Sequence, residues 1–223
     1  MRMEAPPRPR RRGALALVVA TLLALAALPF SAAQFASAQG GLYGPEAPVE
    51  AAWVRVVNAG AEGGVAVRIA DGSTRVLALF DATRYALVDP GPVRVDVGGE
   101  AVTLEVVAES FTTVAATGGG VVVVPDPALR DISRGLLGLV NLTDREGLDL
   151  QVPDGPIVVA AVPPGVHDAV AVAEATVELV VVDAGTVVAR LEARTFERGV
   201  AFAVVAVETA EGIVAFVLTA AGE

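Results

Sequence analysis

The stretch VRVVNAGAEGGVAVRIADG, residues 54–72, returns as LGLVNLTDREGLDLQVPDG, residues 137–155. Val57-Asn58 aligns with Val140-Asn141, Gly64 with Gly147, and Asp71-Gly72 with Asp154-Gly155, every pair 83 positions apart. A constant offset over such a span marks two tandem copies of one module. Inside the first copy Val65, Val67 and Ile69 alternate with Ala66 and Arg68, the period of a strand with one face buried. Asp71-Gly72 then predicts a two-residue type I′ hairpin turn, and Thr74 to Phe80 the returning strand.

Working outward, Asp89-Pro90-Gly91-Pro92 makes a corner, Val93, Val95 and Val97 alternate again, and Val102, Leu104 and Val106 come back after Gly98-Gly99. Ser110 to Ala116 and Val121 to Val124 complete the module, with Gly118 to Gly120 between them expected as a flexible connection. The second copy repeats the plan through strands at 136–142, 148–152, 157–162, 169–173, 177–182, 187–191, 200–207 and 213–219. Seven to eight short strands per copy predict an all-β chain of two tandem β-sandwiches, Ig-like or jelly-roll-like. The expected sandwiches span 51–124 and 135–223. Pro125-Asp126-Pro127 opens a semi-rigid link over 125–134, with a brief helical turn expected from Ala128 to Arg134.

Upstream, Arg8 to Arg12 precede an apolar run from Gly13 to Leu28 and small residues around Ser31-Ala32-Ala33 and Ala36-Ser37-Ala38. This order predicts a cleaved export signal over 1–38, cut between Ala33 and Ala38, and a periplasmic mature protein. The apolar run is short for a membrane span, so no stable span is expected after cleavage. Residues 39–50, QGGLYGPEAPVE, are rich in Gly and Pro without a period and predict an N-terminal arm. Leu42 and Tyr43 in it either tuck onto the first module or meet a partner.

Of the 223 residues, 54% are apolar, mostly Val and Ala, and only 4% are aromatic. There is no Cys, so neither disulfides nor thiolate metal sites are available. All 16 basic residues are arginine, against 26 acids. Removing the leader leaves 11 Arg and 25 acids, about −14. That charge argues against nucleic acid and anionic membrane as partners.

The opening of the expected mature chain, Leu42-Tyr43-Gly44-Pro45-Glu46-Ala47-Pro48 followed by Trp53-Val54-Arg55-Val56-Val57-Asn58-Ala59, resembles the start of the AlgF family of alginate biosynthesis proteins. Leu139-Val140-Asn141-Leu142-Thr143-Asp144 and Phe196-Glu197-Arg198-Gly199-Val200 extend the resemblance over most of the mature chain. It implies a periplasmic accessory protein of alginate O-acetylation, a non-enzymatic adaptor working beside membrane and periplasmic acetyltransferases. The absence of Lys and the Ala-Val richness suggest a distant member, acting on a polymer that need not be alginate. Leu42, Tyr43, Pro45 and Arg55, in the family-like motifs, are the expected partner contacts. Two other readings stay open: a carbohydrate-binding module gripping an acidic polysaccharide, and a structural protein of the envelope.

The candidate chemistry is sparse. A Ser-His-Asp hydrolase or acyltransferase needs a base beside its nucleophile, and His167 is the single histidine. It follows Pro163-Pro164-Gly165, no Gly-x-Ser-x-Gly elbow accompanies it, and it is expected to face solvent from a loop. Glu192, Glu197, Glu208 and Glu211 offer paired carboxylates, but with Trp53 the one tryptophan they lack the aromatic lining of a sugar cleft, and they read as solvated faces. Asn58 and Asn141 occupy equivalent strand ends, which points to a fold role bonding turn backbone. Arg55, Arg68 and Arg94 fall at outward positions of the alternation and could gather into one basic patch. No catalytic residue, metal or cofactor is expected.

Overall fold

The computed structural model describes residues 50–60 and 62–220; the export signal expected over 1–38, and Leu42, Tyr43 and Pro45 of the expected arm, lie outside them. The described chain is all β. Strands β1 (Ala52–Asn58), β4 (Ala86–Val88), β7 (Phe111–Thr117) and β8 (Gly120–Asp126) form one sheet in the order β4-β1-β7-β8. Strands β2 (Val65–Ile69), β3 (Arg75–Leu77), β5 (Gly91–Val97) and β6 (Glu100–Val106) form its partner, β3-β2-β5-β6. The second copy has the same wiring. Strands β9 (Gly135–Leu142), β12 (His167–Val172), β15 (Ala201–Thr209) and β16 (Gly212–Ala220) give β12-β9-β15-β16. Strands β10 (Leu148–Gln151), β11 (Ile157–Val162), β13 (Ala175–Asp183) and β14 (Thr186–Phe196) give β11-β10-β13-β14. In each copy the first strand runs parallel to the seventh, β1 beside β7 and β9 beside β15.

Each sandwich closes on its own core. Val54, Val56, Val67, Val95, Leu104 and Val114 fill the first, and Leu139, Leu148, Leu150, Leu179, Phe202 and Val204 the second. Asn58 and Asn141 tie the paired sheets together. The Asn58 Nδ2 donates to Leu77 O at 3.2 Å, at the end of β3. The Asn141 Nδ2 donates to Val162 O at 2.9 Å, at the end of β11. Each also caps its own strand end, Asn58 Oδ1 accepting from Gly60 N and Asn141 Oδ1 from Thr143 N. The duplicated asparagine therefore does bond turn backbone, and also locks one sheet to the other.

Several local expectations need correction. Asp71-Gly72 does not form the centre of a two-residue turn, because Gly72 N donates back to Ile69 O at 2.9 Å and the ladder resumes only at Arg75. The equivalent bond runs from Gly155 N to Val152 O at 2.9 Å, yet Ala70 takes the positive φ in the first copy (47°) and Asp154 in the second (53°). Proline at 153 fixes a negative φ there and moves the left-handed residue one position on. Gly118-Gly119 is a tight hairpin turn between paired Thr117 and Gly120, not a loose connection. Strand β8 runs on through Pro125 and Asp126, into the stretch expected to be a link, and no helical turn forms from Ala128 to Arg134.

The largest departure concerns the outer faces. Val57, Ala115, Val122 and Val124 from β4-β1-β7-β8 pack against Val140, Ala203, Val205, Val207 and Leu218 from β12-β9-β15-β16. Phe80 meets Phe216 here with ring centroids 4.9 Å apart. This third apolar cluster buries β1, β7, β9 and β15 on both faces, which is why β9 and β15 run almost continuously apolar. Besides the chain connection at 127–134, a shared apolar interface joins the sandwiches.

Candidate functional site

At one end of that interface the apolar residues give way to a buried polar network. Strand alternation that sends Val54 and Val56 into the first core sends Arg55 the other way, so its outward direction holds while its expected exposure does not: it is 4% exposed. Its Nε donates to Thr113 Oγ1 at 2.8 Å, its guanidinium lies 3.8 Å from Asp126, and its Cζ sits 4.7 Å over the Tyr85 ring. The Thr113 hydroxyl in turn donates to Asp126 Oδ2, and the Tyr85 hydroxyl donates to the same oxygen at 2.7 Å. Around the rim Trp53 stacks on Phe111 at 4.6 Å, and Tyr85 meets Phe111 edge-on at 5.4 Å.

The second sandwich contributes His167. It is not a solvent-facing loop residue: it opens β12, pairs with Val140 of β9, and its side chain is 6% exposed. Its Nδ1 lies 2.8 Å from Asp126 Oδ1. Burial pushes the Asp126 carboxyl upward most strongly, but the His167 hydrogen bond, the Arg55 charge and the Thr113 hydroxyl together hold it below the ordinary carboxylate range. An ionised carboxylate only accepts, so His167 Nδ1–H is the donor of this bond. Burial, with Arg55 opposing and Asp126 reinforcing, keeps the Tyr85 hydroxyl protonated.

This arrangement contains the orienting half of an acyl-transfer triad, an aspartate holding a histidine by Nδ1. The working half is missing from it. Among the described residues the buried Nε2 has no hydrogen-bond partner, and a Cβ added to Gly138 would collide with it. The ring therefore abuts bare backbone of β9, where a base would need a hydroxyl nucleophile within about 3 Å. The two hydroxyls of the network, Thr113 and Tyr85, both donate to Asp126 instead. What the geometry does supply is a charged, hydrogen-bonded pin between two sandwiches.

The other expected sites are dispersed. Arg68 and Arg94 both pair with Asp96 on the solvent face of the other sheet, so they gather with each other and not with Arg55. Glu208 lies 3.3 Å from Arg145, which also approaches Asp183 at 3.6 Å, and so serves a surface ion-pair cluster. Among the described residues, no three His, Asp or Glu side chains converge as metal ligands. No helix there is long and apolar enough to cross a membrane.

The family model described as "Alginate O-acetyl transferase AlgF" matches residues 20–203. The chain belongs to the AlgF family. It is 30% identical over 177 residues to the alginate biosynthesis protein AlgF of Pseudomonas aeruginosa, covering 78% of this chain and 81% of that one. It is 27% identical to the AlgF of Pseudomonas putida over 143 residues, 64% of each. Among solved structures, the N-terminal domain of P. aeruginosa AlgF matches at 25% identity and TM-score 0.32, over 37% of this chain and 100% of that one. The C-terminal domain matches at 20% identity and TM-score 0.34, over 39% and 98%. The tandem wiring and the pin between the copies are thus features of an AlgF-family chain.

Proposed function

We propose that this chain is a non-enzymatic periplasmic adaptor for O-acetylation of an exopolysaccharide, alginate by its family, holding membrane and periplasmic acetyltransferase components together. The name of the family supports the pathway. The observation that carries the adaptor role is the sealed His167: the single histidine of the chain spends one nitrogen on Asp126 and buries the other against Gly138. Acyl transfer through a serine or threonine would need that second nitrogen in reach of substrate. A chain stiffened by an apolar interface instead suits the task of presenting partner surfaces at fixed separation. The arm residues Leu42, Tyr43 and Pro45 are proposed as contacts; Arg55, being enclosed, supports the presenting surface from beneath.

A pull-down with residues 39–223 from periplasmic and membrane extract, read by mass spectrometry, tests this. Recovery of acetyltransferase components is expected, and deletion of 42–45 should diminish it. Recovery of none of them, together with binding of purified acidic polysaccharide, would replace the adaptor by a carbohydrate-binding module.

A further inference from the structure

Trp53 lies between Leu87 and Phe111 across the ladders of β4, β1 and β7, on the face of the first sandwich that turns away from its core. The row continues to Asp126, so it borders the seam at the pin. Leu87 is 50% exposed, and Trp53 and Phe111 are each partly exposed, which leaves an apolar strip beside the buried interface. At the same end of the sandwich three exposed acids surround the start of β1. Glu50 precedes the strand, Asp89 follows the Val88 that pairs with Ala52, and Glu109 N donates to Ala51 O at 2.7 Å.

Comparison of the two copies separates what the fold needs at this end from what it does not. The 83-residue offset and the ladders set Leu87, Trp53 and Phe111 against Ala171, Leu136 and Ala201. The same alignment sets Glu50, Asp89 and Glu109 against Ser133, Ala173 and Gly199, none of them charged. Glu109 and Gly199 are equivalent bond by bond, since Gly199 N donates to Arg134 O as Glu109 N does to Ala51 O. Both hold a positive φ, 59° and 71°, which glycine adopts freely and glutamate only at a cost. The second copy makes the same turn without strain or charge, and the same row without an aromatic. The common fold therefore does not require the strip or its acids.

We propose that the strip and its acids form a docking surface for a basic segment of a protein partner. An apolar side chain of that segment seats on Leu87 and Trp53, and its Lys or Arg side chains meet Glu50, Asp89 and Glu109. Burial of the row supplies the attraction, and the acids select cations and speed the encounter. An acidic saccharide would meet like charge at this end. The proposal rests on the adaptor function and gives it a contact face.

Trp53 is the single tryptophan of the chain, so its emission reports on the strip alone. The probe is a decapeptide of alternating Arg and Leu, titrated into residues 39–223 at about 0.15 M salt. Its dye-labelled form is read by anisotropy and its unlabelled form by Trp53 emission. Saturable binding with a blue shift of Trp53 is expected, and neither with the Gln-Leu counterpart. W53L/L87A and E50S/D89A/E109G take the residues of the second copy, and each should weaken binding by about tenfold or more. E105S/E178S/E192S removes as much charge from exposed sites elsewhere and leaves binding unchanged. Melting temperatures establish that the variants are folded; L87A alone, at an exposed position, replaces the double variant if that one melts low. No binding by the unaltered protein, equal binding by the variants, equal binding of the Gln-Leu peptide, or emission that shifts with protein concentration in the absence of peptide would each overturn the proposal. The pull-down separates the two levels: if W53L/L87A recovers the acetyltransferases as well as the unaltered protein does, the surface falls and the adaptor stands.

Discussion

Asp126 keeps its charge in a place where burial alone would remove it. Three cooperating groups, His167, Arg55 and Thr113, outweigh the burial, so its folded carboxyl titrates below the ordinary value of 3.8. The sign follows from linkage: the stabilisation is fully present above the unfolded value and is lost as pH falls through the lower, folded one. We therefore expect D126N to cost about 3–5 kcal/mol near neutral pH, because it leaves Arg55 buried without a counter-charge. In urea titrations the difference between D126N and the unaltered protein should be flat above about pH 5 and shrink below about pH 4. Gly138 gives a second prediction at this scale. G138A must place a methyl where His167 Nε2, Ala169 and the Asp168 carbonyl already sit, and should cost about 1–3 kcal/mol by thermal melting. Adding H167A should recover part of that loss, since one of the three obstacles is then gone. None of this was legible from a sequence in which Asp126 stood between two prolines and His167 followed Pro-Pro-Gly. Both looked like loop residues because their partners are 41 positions apart.

Strand β1 shows what alternation can and cannot tell. The pattern at 54–58 placed Arg55 opposite to Val54 and Val56, and that direction is what the structure has. It could not say whether the opposite side was water or a second sandwich. A signal was nevertheless present in Val54–Val57 and Ala201–Val207, where apolar residues occupy both phases of the period, the usual mark of strands covered on both faces. The duplicated asparagines were readable because a fixed offset places them at equivalent strand ends. Removing either Asn58 or Asn141 by substitution with alanine should destabilise by about 1–3 kcal/mol, through buried backbone carbonyls left without their donor. Chemical denaturation of the two variants checks this. A loss confined to one copy would show that the sheet-to-sheet tie is not a shared device.

At the scale of the whole molecule, two sandwiches share an apolar seam and one charged pin. The 83-residue repeat and strand spacing made the paired sandwiches legible, and proline at 125 and 127 suggested a joint. The packing of one sandwich on the other was not, since no local periodicity encodes which outer faces will meet. Such a seam predicts that residues 39–223 unfold in a single calorimetric transition. V205D, which puts a charge at a position 1% exposed in the seam, should split it into two. Two transitions in the unaltered protein would mean that the sandwiches are thermodynamically independent, and would weaken the case for a rigid spacer.

The most direct test of a chain that supports acetylation without performing it is the acetyl content of the exopolymer from cells whose only copy of this protein is H167Q, matched to the unaltered protein in abundance and melting behaviour. Glutamine retains a donor for Asp126 but no basic nitrogen, so the adaptor account predicts acetyl content close to that of the unaltered strain. Loss of acetylation by a protein that is folded and equally abundant would make His167 a participant in the chemistry and contradict the account.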